Sequence, residues 1–168
     1  MDERVSMEIT GEGRVITIKA KRLWPIALFL LAWVSLWTFG GYEAVLRLLG
    51  FLEDFKPGNL PFIIFFVIWL TGWLAGEAIA VAGILWFAAG REVITIAQGE
   101  MKVVYRLLLA GPVFTYNINE ITSVRAEKNM VGFKYRGRNR AIGVMLAGDE
   151  PQKLLGYLRE CLPQGRFV

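Results

Sequence analysis

Arg14-Val15-Ile16-Thr17-Ile18-Lys19-Ala20 and Glu92-Val93-Ile94-Thr95-Ile96-Ala97 are near copies of each other, and what separates them decides the fold. Both alternate and are rich in β-branched side chains, the pattern of a half-buried strand. Between them, charge is absent from residues 23–42, a run of 20, from 57–76, another 20, and, after Glu77, from 78–90. A helix needs about 20 mostly apolar residues to cross the hydrocarbon core of a bilayer. The spacing therefore predicts two spans, at residues 23–40 and 61–89. One copy leads into the first span and the other leaves the second. The simplest arrangement makes them strands of one sheet, with a transmembrane helical hairpin inserted after the first strand. A pair of buried core helices is the competing reading of the two runs.

Composition agrees. Of 168 residues, 55% are hydrophobic and 20% charged, an apolar balance uncommon in a soluble domain. All six tryptophans (Trp24, Trp33, Trp37, Trp69, Trp73 and Trp86) fall in the spans. The charged stretch before the first run and the lack of a small-residue cleavage site fit a retained anchor better than a signal peptide. Lys19, Lys21 and Arg22 precede the first span and Arg91 follows the second. This bias puts both termini in the cytoplasm. In the connection, Ala44, Val45, Leu48, Leu49, Phe51 and Leu52 recur at helical spacing. They predict either a short interfacial helix or an extension of the first span. Lys56-Pro57-Gly58-Asn59 then turns the chain.

Two features of the second span suggest contacts. Gly72, Gly76, Ala80 and Gly83 form a small-residue stripe on which another helix, from the same chain or a partner, can pack. Glu77 is an intramembrane carboxylate, costly unless it pairs or faces water. Equal rise along the two helices puts Ser35 at its depth and makes Ser35 its expected partner.

Beyond the hairpin, strands are expected at 101–109, 113–117, 121–127, 131–136 and 140–146, the last two joined around Gly137-Arg138-Asn139. A helix follows, with Asp149 as N-cap, Pro151 in its first turn and Gln152 at capping-box spacing. Its apolar face is Leu154, Leu155, Leu158, Cys161 and Leu162. With residues 14–20 and 92–97 this makes an α+β membrane protein. It has seven antiparallel strands and a C-terminal helix, divided as 1–22, the hairpin 23–89 and a cytoplasmic domain 90–168. The strand count and terminal helix resemble the bacterial pleckstrin-homology-like fold. The segments 16–24 and 90–94, flanking the spans, are similar to those of uncharacterised bacterial two-span membrane proteins. The resemblance implies a bacterial inner (cytoplasmic or photosynthetic) membrane and a role in scaffolding, lipid or peptide binding, or membrane-complex assembly, and carries no active site.

Lys128, Lys134, Arg136, Arg138 and Arg140 fall close together with no acid until Asp149. Alternation puts Lys134 and Arg136 on one face of a strand and Phe133 and Tyr135 on the other. This basic hairpin is either a solvated face or a contact for anionic phospholipid headgroups or a partner's acidic patch. No nucleic-acid motif accompanies it.

The chain has no His and a single Cys, Cys161. That removes Ser-His-Asp and Cys-His catalysis, Cys/His zinc clusters and an internal disulfide. No phosphate-loop or metal spacing occurs, so neither enzymatic activity nor a cofactor is expected. The expected role is an accessory or assembly subunit of an integral membrane protein complex. The alternatives are a headgroup-binding module, alone or as a homo-oligomer, and an ion or proton pathway through Glu77 in an oligomer.

Overall fold

In the computed structural model, which describes residues 3–11, 13–107 and 111–167, the chain divides into two units. One is the helical hairpin, residues 23–88; the other joins residues 1–22 to 89–168.

The hairpin consists of α1 (Trp24–Glu53) and α2 (Leu60–Ala89). Both are long and apolar enough to cross a membrane, with mean hydropathy 1.5 and 1.9. Pro25 opens α1 within its first turn, where the missing N–H costs nothing. No separate helix forms in the connection, because α1 runs unbroken through Glu53. No proline interrupts residues 26–56, so each amide keeps its partner one turn back. The turn is a single 3-10 stretch, Pro57–Asn59. It is fastened by Asn59 Nδ2 donating to the Asp54 carbonyl at 3.1 Å and by a Lys56–Asp54 ion pair at 2.8 Å.

In the other unit, the two near copies are neighbours. An antiparallel sheet runs in the order β1 (Val5–Thr10), β2 (Gly13–Lys19), β3 (Arg91–Ala97), β4 (Glu100–Arg106), β5 (Val113–Asn117). Lys19 stands opposite Arg91, and the Ala20 N–H donates to the Gly90 carbonyl at 2.9 Å. The chain thus leaves the sheet and returns to it side by side. A second antiparallel sheet holds β6 (Ile121–Glu127), β7 (Met130–Tyr135) and β8 (Arg138–Ile142). The terminal helix α3 (Glu150–Cys161) packs on β1, β6 and β7, spanning the two sheets on one side.

The described residues therefore hold eight strands in sheets of five and three, not seven, and the helical hairpin follows the second strand, not the first. The additional strand is β1, whose Val5, Met7 and Ile9 already alternate. The expected strand at 101–109 ends at Arg106, and residues 108–110 lie outside the described ones. The expected strand at 140–146 is shorter and earlier. Tyr135 pairs with Arg138, so the tight turn is Arg136-Gly137, with φ of 49° and 75°. Two successive left-handed residues match the twist of the flanking strands, and glycine takes the second without steric cost.

The core lies between the sheets and α3. Ile16, Ile94, Met101, Val103, Ile121, Val124, Val131, Ile142, Leu154 and Leu158 are all buried. Leu154, Leu155, Leu158 and Leu162 are the inward face of α3, as the spacing predicts. The cap differs: Asp149 makes no side-chain cap bond, and Glu150 Oε2 accepts from the Ala147 N–H at 2.8 Å instead. Arg4 holds that carboxylate at 2.7 and 3.1 Å, tying the start of β1 to the start of α3.

Candidate functional site

Three groups of residues concern function, one in the hairpin and two in the β domain. In the hairpin, Glu77 Oε1 accepts from the Thr38 hydroxyl, not from Ser35. Ser35 turns its hydroxyl back to the Leu31 carbonyl of its own helix at 2.9 Å. Thr38 lies nearly one turn further along, so it shares depth closely enough but also shares the face toward α2. Thr38 also meets the Val34 carbonyl at 2.8 Å. Its single proton can serve only one of these two acceptors at a time.

The small-residue stripe receives side chains, not a second backbone. An ideal Cβ on Gly76 would lie 3.9 Å from Trp37, and one on Gly83 3.7 Å from Leu30. Ala80 lines the same hollow as Trp33, Trp37 and Gly76. Gly72 has nothing within 4 Å, so it faces away from α1. The tightest approach involves residues outside the stripe: Cβ atoms on Gly40 and Gly41 would come within 3.3 and 3.0 Å of the Trp73 indole. Trp33, Trp37, Trp73 and Trp69 form a continuous ring ladder, with centroids 5.0, 4.3 and 4.3 Å apart. The indoles set the helix spacing, and the paired glycines opposite Trp73 were the available sequence signal.

The basic residues do not make one patch. Lys128 occupies the β6–β7 turn, while Arg136 is in the turn at the far end of β7. Lys134 and Asn139, paired across the strands, face away from the core. Arg138 and Arg140, paired with Tyr135 and Phe133, are on the other face. Arg136 does not continue Lys134's face, because the left-handed turn ends the alternation there. Its guanidinium grips Glu120 at 2.5 and 3.0 Å, which raises its own pKa and, with a hydrogen bond from Tyr135, lowers that of Glu120. Among the described residues Lys134, Arg138 and Arg140 have no ion pair.

The third group lines a seam between the two sheets, where Tyr116 of β5 meets β7. Glu92 lies on the core face of β3 beside Ile94 and is 3% exposed. Its Oε2 accepts from the Gly143 N–H at 2.9 Å, linking β3 to the end of β8. The Tyr105 hydroxyl is near enough to act on the carboxylate, whose buried Oε1 has no hydrogen-bond partner among the described residues. Burial outweighs the Gly143 and Tyr105 contacts and pushes the Glu92 carboxyl up to about 7. Burial likewise raises the Tyr105 phenol, further helped by the Glu92 charge. Next along the seam, Tyr116 packs edge-on against Phe133 and Tyr135, with centroids 5.3 and 5.0 Å apart. Burial raises the Tyr116 phenol, and the nearby Arg140 charge opposes that rise. Polar groups thus run from a buried carboxylate, past three phenols, to the surface Glu120–Arg136 pair.

Sequence reasoning gave Glu92 no role beyond its place in the expected strand 92–97. The available signal was an acid on the inward register of a strand whose other inward residues, Ile94 and Ile96, are apolar. Cys161, on α3, receives an Arg14 Nη1 contact at 3.6 Å. Among the described residues no group of three or more His, Cys, Asp or Glu could hold a metal ion. No family model, curated protein or solved structure matches this chain.

Proposed function

We propose that this chain is a non-enzymatic, membrane-anchored interaction protein, an accessory or assembly subunit of a bacterial inner-membrane complex. In this reading both termini are cytoplasmic and the β domain is pleckstrin-homology-like. Two antiparallel sheets with a C-terminal helix packed across both support the last point. The observation that carries the reading is the surface of the hairpin. Leu36, Ile68 and Ile79 are 72%, 68% and 74% exposed, and α2 is apolar all round. A helix of that kind requires lipid or other helices as its surroundings. Gly72, with open space around it, is the member of the stripe available to a partner helix. The test is purification from native membranes in gentle detergent. A stoichiometric complex is expected, and Gly72→Leu should release this chain from it. A lone particle that persists after crosslinking in the membrane overturns the reading.

One observation favours a second reading, headgroup binding: Lys134, Arg138 and Arg140 are unpaired among the described residues, on a domain joined directly to α2. In that case Arg138→Glu with Arg140→Glu abolishes binding to phosphatidylglycerol vesicles, and Gly72→Leu leaves it intact.

A further inference from the structure

The two sheets have four outer strands, and three of them are guarded. β1 begins against α3, held by the Arg4–Glu150 pair. β6 is met by Phe167, bridged to Val124, and by Arg166, which donates to the Asn119 and Ile121 carbonyls. β8 carries Arg138 and Arg140, charges of the kind that keep an edge from pairing. β5 has neither charge nor proline within Val113–Asn117, and among the described residues no strand pairs with its outer side; Val113 and Phe114 are 50% and 45% exposed.

The direction of its free hydrogen bonds follows from the register. The Tyr105 N–H donates to the Pro112 carbonyl and the Ile118 N–H to the Gly99 carbonyl. Ladder bonds in an antiparallel pair alternate along each strand. With Val103 opposite Phe114 and Met101 opposite Tyr116, residues 112, 114, 116 and 118 turn their main-chain groups toward β4. Val113, Thr115 and Asn117 therefore direct their N–H and C=O groups outward, a row spaced for another strand. On the outer face Lys102, opposite Thr115, is offset by Glu100, opposite Asn117. The unopposed cation is on the inner face: Arg140 pairs with Phe133, against which Tyr116 packs, and is near enough to act on the Tyr116 phenol.

We propose that the free edge of β5 takes up an extended segment of a partner protein as a further strand, one that alternates apolar and acidic residues. Main-chain bonds to Val113, Thr115 and Asn117 supply the pairing. Val113, on the outer face, receives the apolar side chains, and Arg140, on the inner face, selects the acidic ones. The inference rests on the interaction-protein reading and names the surface by which the β domain would serve it.

The test uses the full chain in detergent micelles. The probes are fluorescein-labelled peptides of about eight residues, a long strand's length, with Val or Ile alternating with Asp or Glu, and matched peptides with Lys replacing the acids. The acidic set is expected to bind, by fluorescence anisotropy, and the lysine set at least about tenfold more weakly. Thr115→Pro removes one outward donor and leaves the β4 ladder untouched, since proline is tolerated on an edge. It should weaken binding about tenfold or more with unchanged circular dichroism and melting. If Thr115→Pro disturbs the melt, Arg140→Glu replaces it and should invert the preference between the two sets. Failure of the acidic set to bind, equal binding of both sets, or binding indifferent to Thr115→Pro overturns the proposal. So does self-association of the free chain that Thr115→Pro abolishes, which would make a second copy the occupant. A Thr115→Pro chain that still co-purifies stoichiometrically from native membranes refutes the edge and leaves the subunit reading standing. Absence of any complex with the wild-type chain refutes the subunit reading.

Discussion

The hairpin and the β domain are built from similarly apolar sequence but dispose of it in opposite ways. In the β domain the β-branched residues of β2 and β3 and the leucines of α3 converge on one interior, and Ile16, Ile94 and Leu154 are wholly enclosed. In the hairpin only Ala27, Ala44 and Leu70 are buried, and large aliphatic side chains such as Leu36, Ile68 and Ile79 point outward. Periodicity explains the difference. Alternation or a 3.6-residue stripe specifies one inward face, whereas α2 has no polar face to oppose an inward one. The β domain carries its own apolar interior, and the hairpin depends on its surroundings for one.

The widest separation between the regions should come from truncating leucines. Leu158→Ala, at a site 1% exposed, should cost about 2–5 kcal/mol in denaturant unfolding of the β domain. Leu74→Ala, 63% exposed on α2, should change it by less than about 0.5 kcal/mol. Equal costs would break the comparison.

The next effect sharpens it through pH. Glu92 has its carboxyl raised from 4.5 to about 7 by burial, so the folded state holds a proton that the unfolded chain has released. Stability is then greatest below pH 4.5 and falls as pH rises through about 7. The loss is about 3 kcal/mol at 1.36 kcal/mol per unit. Glu92→Gln should flatten the β-domain unfolding profile over that window, as read by urea titration at each pH. Parallel profiles for the two proteins would show that other groups carry the dependence.

The smallest effect belongs to the hairpin. Gly41→Leu drives a side chain into the Trp73 indole and should weaken helix association by about 1–3 kcal/mol. Energy transfer between probes on the two helices should fall, while β-domain melting stays unchanged. A β domain that melts with the hairpin would mean that the two units are one cooperative structure.

What was legible in the sequence follows the same division. Long uncharged runs and the 14–20/92–97 near copy are strong periodic signals, and they gave the helices and the β2–β3 pairing. The limits of the helix in the connection and of the Arg136-Gly137 turn were not legible. Continuity of α1 depends on hydrogen bonds that no hydropathy pattern records, and Arg136 adopts a left-handed backbone that its residue type does not announce. Counting residues along antiparallel helices gave the depth of Glu77's partner but not its azimuth, so Ser35 was chosen where Thr38 faces the groove. β1 was hidden because Glu3, Arg4 and Glu8 make its neighbourhood look like a charged leader, although Val5 and Met7 point inward.

The pairing of Lys19 with Arg91 also sets an order of events during synthesis. β1 and β2 emerge first, and as a two-stranded ribbon they are at best marginally stable. Their third strand is made only after both helices. Closing so long a connection as a flexible loop would carry a substantial entropic cost. Helices that have already folded back on each other deliver β3 to β2 with that cost largely met. Completion of the sheet therefore depends on the return of the second helix, and a chain in which that helix failed to fold back would leave β2 an open edge.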